Sequence, residues 1–300
     1  MKGKINICEV GPRDGLQNEK STVSPEDKIR FIELLARAGL KEIEATSFVR
    51  PGVIPQLSDA EEVFFAVRSL QGPERHLPVL VPNAKGLDRA LESGAESIAV
   101  FTATSESFTK KNTNATREES MQRIRDIFAA IRSSGATVRV RGYISTVVDC
   151  PYEGRQDPGI AADMCQELLD LGCFEISLGE TIGTAVPDDI QTLLESVLRS
   201  APAEYLAGHF HDTRGTALAN VYAALQMGIL SFDASAGGMG GCPYAAGAAG
   251  NLATEDLVYA LHRSGYETGV DLGLLSQATA HIEASVGRPS TSRVYRALTA

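Results

Sequence analysis

The sequence predicts a (β/α)8 barrel of the TIM-barrel type, followed by an additional C-terminal helical segment. Eight short runs of β-branched and other apolar residues recur along the 300 residues, and each is followed by a stretch with helical periodicity. Several of these stretches begin with residues that cap helices. This alternation of strands and helices is typical of the barrel. A doubly wound open sheet is the rival fold, but no GxGxxG follows the first strand, as it often does in that fold.

The eight predicted strands follow one another at regular intervals. Each is an apolar run of the length expected for a strand buried in a parallel sheet. They lie at residues 5–10, 42–46, 77–81, 97–101, 137–143, 174–178, 205–210 and 231–235.

The predicted helices have recognisable start and stop signals. Ser24 precedes a Pro-Glu-Asp run and caps a helix that ends at Gly39, while Thr116 opens another that ends near Gly135. Pro187 starts the sixth helix, and Thr254 lies in the first turn of the eighth. A further helix over residues 272–286 follows the barrel. With no linker-like stretch, we expect one catalytic domain over residues 1–300, with the barrel at about 4–265 and the tail at about 270–300.

The composition excludes several classes of partner. The net charge is −10 and no run of Lys or Arg could follow a phosphate backbone, so nucleic acid is not expected to bind. No apolar stretch approaches the ~18 residues of a membrane span. The first strand begins almost at once, so no secretory signal or transit peptide is expected. Five dispersed cysteines without a CxxC pair indicate reduced thiols, and hence a cytoplasmic protein.

Polar residues with catalytic potential fall at the C-terminal ends of the predicted strands. Arg13 and Asp14 follow strand one, and His209 and His211 end strand seven, where a spacing of two points both rings to one face. Active sites of this barrel lie at that end. Individually, Asp14 could be a turn residue and Arg13 a surface ion pair. Together, Asp14 and the two histidines predict a divalent metal site, with Arg13 as an unpaired arginine beside it. This arrangement is suited to enolate chemistry at a carbon–carbon bond.

The expected metal is Mg²⁺ or Mn²⁺ rather than Zn²⁺. Two imidazoles, one carboxylate and one amide oxygen form a mixed ligand set that suits an octahedral ion. A tetrahedral zinc site would usually contain a thiolate or a third histidine. The amide ligand is expected to be Asn251, just before the eighth helix, where an N-cap is the alternative role.

A glycine-rich loop with one thiol follows the eighth strand. Residues 237–244 read GGMGGCPY, which suits a lid that closes over a substrate, although a plain surface loop is the alternative. Because this loop lies beside the first strand, Cys242 is a candidate acid–base group.

At this point the sequence resembles the hydroxymethylglutaryl-CoA lyases, a family of metal-dependent lyase barrels, over essentially its full length. Related isopropylmalate and homocitrate synthases share the Arg-Asp pair and the HxH motif but not the GGCPYA loop. The segments that carry the resemblance are residues 9–20 (EVGPRDGLQNEK), 46–49, 108–112, 141–143, 150–154, 175–179, 209–220 and 240–259 (GGCPYAAGAAGNLATEDLVY).

The resemblance implies cleavage of 3-hydroxy-3-methylglutaryl-CoA to acetyl-CoA and acetoacetate through an enolate, and a homodimer is common in the family. It implies that Arg13 neutralises the enolate oxygen and that His209 and Cys242 transfer protons. The implied metal ligands are Asp14, His209, His211 and Asn251. The implied substrate-binding or ligand-orienting residues are Gln17, Glu44, Thr181 and Glu255.

The sequence departs from the family pattern at three places, which leaves the acyl group open. Glu180 stands where an aspartate is usual, Arg214 replaces a smaller or aromatic residue, and residues 287–290 replace an Asn-Arg-Lys-like segment that contacts CoA. Citramalyl-CoA or a longer branched analogue is the alternative substrate. A Claisen-type synthase is disfavoured because the chain ends soon after the barrel. A barrel that only binds acyl-CoA is disfavoured because all the expected ligands are present.

Overall fold

The barrel strands run parallel, so their C-terminal ends, where the active site is expected, all lie at the same end of the barrel. A computed structural model describes residues 2–241 and 250–300. Its parallel sheet contains β1 (Asn6–Glu9), β2 (Glu42–Ile43), β3 (Thr46–Ser47), β4 (Val79–Leu80), β5 (Ser97–Ala103), β6 (Arg139–Ser145), β9 (Glu175–Glu180), β10 (Leu206–Phe210) and β11 (Ser231–Ala234).

The sheet closes because β2 and β3 are two parts of one strand. β2 pairs with β1, whereas β3 pairs with β4. Between them, the Glu44 amide donates to the Glu9 carbonyl at 2.9 Å and the Ala45 amide donates to the Pro78 carbonyl at 3.0 Å. Residues 42–47 therefore join both ends of the strand order β1-β11-β10-β9-β6-β5-β4, and the predicted eight-stranded barrel is confirmed.

A helix follows each barrel strand, as predicted. The eight helices of the outer ring are α1 (Pro25–Arg37), α2 (Ala60–Val67), α3 (Ala84–Glu92), α5 (Arg117–Ser134), α6 (Pro158–Leu171), α7 (Pro187–Val197), α8 (Ala217–Gln226) and α9 (Thr254–Arg263). Ser24 caps α1, and Thr116 forms a capping box with Glu119 at the start of α5. Gly135 ends α5 in the left-handed conformation that glycine adopts without steric cost.

Two short insertions extend the loops at the active-site end. Helix α4 (Glu106–Thr113) lies between β5 and α5. A two-stranded antiparallel hairpin, β7 (Asp149–Cys150) with β8 (Gly154–Arg155), lies between β6 and α6. Both add walls to the barrel mouth, and neither was predicted.

The C-terminal tail consists of two helices, one more than predicted. The predicted helix is α10 (Leu272–Val286), which packs against α1 and α9. Helix α11 (Arg293–Thr299) follows and packs against α9. No helix among the described residues is long and apolar enough to cross a membrane.

The outward faces of the strands are apolar, whereas the barrel interior also contains buried charged groups. On β6, Val140 and Ile144 join the main hydrophobic core, which also includes buried side chains of the helices. The alternate residue Arg141 is buried inside the barrel with 2% exposure. Asp233 on β11 and Ser177 on β9 are likewise fully buried inside it. The interior therefore contains a network of charges beside a small apolar cluster of Leu80, Ala99 and Tyr143.

Candidate active site

A turn after β1 brings Arg13 and Asp14 into the barrel mouth. Residues Gly11–Gly15 form a single π-helical turn with Pro12 near its start. The Gly11 amide donates to Glu9 Oε1 at 2.8 Å, which fixes the turn against the end of the strand. The turn directs the side chains of Arg13 and Asp14 into one cavity.

Asp14, His209 and His211 converge at the bottom of this cavity, as the sequence predicts. Each offers a ligand atom, and the three atoms lie within 4.8 Å of one another. The two imidazole ring centroids are 5.3 Å apart. The alternation of side chains in β10 and the following residue places both rings on the inner face of the barrel.

The two histidines differ in how their rings are held. His209 Nδ1 lies 3.1 Å from Asp233 Oδ2, which leaves Nε2 available. His211 Nδ1 is buried and has no hydrogen-bond partner in the described part of the chain. A buried ring nitrogen without a partner is costly unless a ligand satisfies it.

Asn251 lies beside the three residues and is not an N-cap. Its Nδ2 donates to Asp14 Oδ2 at 2.8 Å and to the Met239 carbonyl at 3.2 Å. The N-cap of α9 is Ala253, so the alternative role for Asn251 is excluded. A bridge between His211 and Asn251 fixes the distance between their two segments.

The expectation that Arg13 is unpaired is wrong. Its Nε and Nη2 each lie 2.7 Å from Glu44 Oε2, and Nη1 donates to Asp14 Oδ1 at 2.7 Å. Burial by itself would lower the pKa of Arg13, but the charges of Glu44 and Asp14 raise it above its ordinary value. Arg13 is therefore a permanent cation with a fixed orientation.

The charges around Asp14 and His211 favour the protonation states that bind metals. Burial would raise the pKa of Asp14, yet the Arg13 charge, the two histidines and the Asn251 hydrogen bond lower it overall. Burial and the neighbouring His209 lower the pKa of His211 to about 4. At neutral pH the site thus contains a carboxylate and a neutral imidazole.

These residues fit a divalent cation. The set provides two ring nitrogens and a carboxylate, with an amide at its edge, in a buried pocket open to a cavity. The buried His211 nitrogen without a partner is what a missing ligand would leave behind. Mixed nitrogen and oxygen ligands suit the borderline-hard divalent ions.

Three of the four predicted neighbouring residues lie around this group. Gln17 and Thr181 line the cavity, and Glu44 lies beneath Arg13. Glu255 lies elsewhere: its two carboxylate oxygens accept from the Gly237 amide at 3.1 and 3.0 Å, and Thr279 donates to it. Glu255 therefore contacts the turn after β11 and is not among the residues that line the cavity.

The cavity has a volume of about 550 Å³ and a mixed lining. Apolar side chains from the loop after β3 and from α4 line part of it, including Val49, Ile54 and Phe108. Arg50, Lys111 and Arg123 also line it. Gly241, the last described residue before Cys242, also lines the cavity, and Cys242 itself lies outside the described residues.

At the three departures from the family pattern, the side chains form hydrogen bonds or ion pairs with neighbouring segments. Glu180 Oε1 accepts from the Thr184 amide at 3.0 Å, and burial raises the pKa of Glu180. Arg214 donates to the carbonyls of Ile182 and Gly183, at 3.2 and 2.9 Å. Within residues 287–290, Arg288 Nε lies 2.9 Å from Glu19 Oε2.

Sequence reasoning missed the interior residues that support the site. Asp233 contacts His209, Arg141 and Ser177, and Tyr143 packs edge-on against His209 at a centroid distance of 6.4 Å. A charged residue in an otherwise apolar strand was the available signal. Asp233 between Phe232 and Ala234 carries it.

Comparisons with known proteins identify relatives over nearly the full chain. The chain is 50% identical over 294 residues to the mitochondrial hydroxymethylglutaryl-CoA lyase of Arabidopsis thaliana, with 98% of this chain covered. It spans only 62% of that plant protein, less than two thirds of its length. It is 48% identical over 297 residues to the 3-hydroxy-3-isohexenylglutaryl-CoA/hydroxy-methylglutaryl-CoA lyase of Pseudomonas aeruginosa, covering 99% of this chain and 98% of that protein.

Solved structures agree with these relatives. The hydroxymethylglutaryl-CoA lyase of Pseudomonas aeruginosa superposes with a TM-score of 0.94 at 47% identity, covering 99% of this chain and 97% of that chain. An HMG-CoA lyase of Acinetobacter baumannii in complex with coenzyme A and 3-methylmalate gives a TM-score of 0.92 at 35% identity, covering 98% and 95%. The HMGL-like family matches residues 4–282. By its sequence, its closed barrel and the residues at its mouth, the chain belongs to the HMGL-like family.

Proposed function

We propose that the protein is a divalent-metal-dependent lyase that cleaves 3-hydroxy-3-methylglutaryl-CoA to acetyl-CoA and acetoacetate. The observation that carries this proposal is the convergence of Asp14, His209 and His211 beside the fixed cation Arg13, at the bottom of one cavity. The names of the relatives supply the substrate, and the complex of one of them with coenzyme A supports an acyl-CoA.

The cation is proposed to be Mg²⁺ or Mn²⁺, held by Asp14, His209, His211 and Asn251. Asn251 would have to present its amide oxygen, because its nitrogen now faces Asp14. A cation held there would make the C3 hydroxyl of the substrate more acidic and neutralise its distal carboxylate. The absence of a thiolate or third histidine among the described residues of this group favours Mg²⁺ or Mn²⁺ over Zn²⁺.

Arg13 is proposed to stabilise the enolate that forms when the bond breaks. The C3 hydroxyl loses its proton, its C–O bond becomes a carbonyl, and the C2–C3 bond electrons pass to the thioester as an enolate. C2 then takes up a proton to give acetyl-CoA. Because Glu44 and Asp14 fix the guanidinium, its remaining N–H groups need no reorganisation to meet the enolate oxygen.

Cys242 is proposed to transfer the protons, with His209 as the other candidate acid–base group when its Nε2 does not hold the cation. His209 lines the cavity. Burial by itself would lower the pKa of His209, but the hydrogen bond to Asp233 outweighs this effect and the pKa is raised. Cys242 directly follows Gly241, which lines the cavity, and this supports a role for its thiol in the proton transfers. Gln17 and Thr181 would contact the substrate, Glu44 would hold Arg13, and Glu255 would hold the turn that leads to Cys242.

A longer branched 3-hydroxyacyl-CoA is the second candidate substrate. The apolar cavity wall formed by Val49, Ile54 and Phe108 favours it, because it could bury a chain longer than a methyl group. The name of the Pseudomonas relative includes both an isohexenyl and a methyl substrate. Citramalyl-CoA, which is smaller, would leave this wall unused.

We infer that residues 1–300 act as a single domain, in a cytoplasmic homodimer. The continuous hydrophobic core, which runs from Ile5 to Val286, supports one domain. The four cysteines in the described ranges are free and buried, which supports a reducing compartment.

The exposed Tyr222 and Tyr259, on neighbouring helices, support an interface between two copies, and light scattering of the purified protein would test it.

The decisive experiment measures acetyl-CoA release by metal-stripped protein, with and without Mg²⁺ or Mn²⁺. The three candidate acyl-CoA substrates are compared, using wild-type protein and an Asp14→Asn variant. We expect metal-dependent turnover of the hydroxymethylglutaryl substrate that is lost in the variant. Folded, metal-loaded protein that cleaves none of the three substrates would overturn the proposal.

A further inference from the structure

We propose that Asp233 is a positioning residue that locks the His209 ring so that Nε2 faces the cation. The inference rests on the proposed metal site and adds a residue that holds its ligand. Asp233 lies on β11 directly opposite His209 on β10, and the two residues are register partners. The strand ladder therefore fixes their distance before any ligand binds.

Three donor groups converge on the Asp233 carboxylate. Arg141 Nη2 donates to Oδ1 at 2.7 Å, and Ser177 Oγ donates to Oδ2 at 2.7 Å. His209 Nδ1 lies 3.1 Å from Oδ2. The carboxylate side chain is fully buried, so these contacts define its surroundings within the barrel.

The contact with Arg141 determines which atoms donate and which accept between Asp233 and His209. A guanidinium has no acceptor, so the oxygen it contacts must accept. Arg141 is itself held by Glu175 Oε2 at 2.6 Å from Nε, and it donates to Tyr143 Oη at 2.8 Å from Nη1. Paired in this way, Asp233 is an acceptor on both oxygens. His209 must then donate from Nδ1, and its Nε2 keeps the lone pair that binds a metal.

His211 provides the contrast within the same site. Its Nδ1 has no such partner among the described residues, so its ring is not locked by a carboxylate. Of the two histidines, only His209 is thus paired with a carboxylate. Of the proposed metal ligands, loss of Asp233 should therefore affect His209 alone.

The first test compares Asp233→Asn with Ser231→Ala, an inward substitution two residues earlier on the same strand. Asparagine has one acceptor oxygen, which Arg141 would retain. Its amide would face His209 and draw the Nδ1 lone pair, moving the ring proton to Nε2. Mn²⁺ is titrated into the metal-stripped proteins, and the free ion is measured by electron paramagnetic resonance. We expect about 10–100-fold weaker binding in Asp233→Asn and near-wild-type binding in Ser231→Ala.

The second test reads the ring proton directly. Long-range ¹H–¹⁵N spectra of the metal-free protein, labelled at its five histidines, are recorded at a pH where the imidazoles are neutral. A His209→Gln variant assigns the signal. We expect the Nδ1–H tautomer in the wild type and the Nε2–H tautomer in folded Asp233→Asn, a change that simple loss of stability would not produce.

The outcomes separate this inference from the proposed function. Wild-type protein that binds Mn²⁺ no better than Asp14→Asn would overturn the metal site itself. A wild type that binds Mn²⁺, with Asp233→Asn binding equally well or keeping the Nδ1–H tautomer, would overturn only the role of Asp233.

Discussion

Arg13 is held by two carboxylates at the bottom of the cavity, and this pairing explains why a cation can be kept there. Glu44 contacts two of its nitrogens and Asp14 contacts the third, so each nitrogen of the guanidinium has a carboxylate partner. Its Cζ also lies 5.6 Å from the Tyr143 ring centroid. A fixed, buried guanidinium is a preorganised donor, which is worth more than a mobile one.

We expect Arg13→Lys to lower kcat by ~10²–10³-fold with a smaller effect on KM. Lysine keeps the charge, but its single ammonium nitrogen cannot reproduce the planar fork whose three nitrogens contact Glu44 and Asp14. Steady-state kinetics on the preferred acyl-CoA, with folding checked by circular dichroism, measures the effect. A kcat close to that of the wild type would show that charge alone suffices.

The sequence predicted which ligand candidates meet but not how they are supported. The strand-end rule was enough to bring Asp14, His209 and His211 together. The pairing of Arg13 with Glu44 was missed because the strand-end rule does not say which side chains contact each other at the barrel mouth. The roles of these residues remain predictions.

At the scale of elements, the C-terminal tail supports the turn after β11. Ser290 Oγ and the Thr291 amide each donate to the Gly237 carbonyl at 3.0 Å. Gly237 and Gly238 have φ values of +70° and +64°, and a Cβ on Gly238 would collide with Thr291. The tail thus fixes the base of the glycine-rich loop.

We expect Thr279→Val to destabilise the protein by about 1–3 kcal/mol. The buried Thr279 hydroxyl on α10 donates to Glu255, and valine would keep the volume but remove this hydrogen bond. Thr299→Val, on exposed α11 surface, is the matched control. Chemical denaturation measures both variants, and equal stabilities would contradict the structural role of this contact.

Element existence was more predictable than element detail. The eight strand–helix units and the 272–286 helix follow from periodicity and capping, and they are confirmed. The division of residues 42–47 into β2 and β3 was not predictable, because it arises from pairing with two different neighbours. α11 was missed because it is short and its stability comes from Asp256, which accepts from Ser292 Oγ at 2.6 Å.

For the whole molecule, buried carboxyl groups make stability depend on pH. Burial raises the pKa of Glu9 from 4.5 to about 8, against hydrogen bonds from Thr254, Ala236 and Gly11. Between these two pKa values the folded protein retains a proton that the unfolded chain has released. The contribution of Glu9 to stability is therefore full below pH 4.5 and is lost as the pH rises through about 8.

We expect Glu9→Gln to gain stability relative to the wild type as the pH rises from 5 to 8, because glutamine does not titrate. The free energy of unfolding of both proteins is measured by denaturant titration at several pH values. Glu204→Gln, an exposed substitution, is the control and should run parallel to the wild type. A Glu9→Gln profile that also runs parallel would refute the assignment.

The interrupted strand at residues 42–47 has a consequence for slow fluctuations of the barrel. Its two halves meet β1 and β4 through pairings of only two residues each, whereas β5 and β6 pair continuously from Ser97–Arg139 to Ala103–Ser145. Partial openings should begin where the ladder is shortest. In deuterated water, the amides of residues 42–47 should therefore exchange before those of β5 and β6. The wall that carries Glu44 should then open to solvent before the wall formed by β5 and β6.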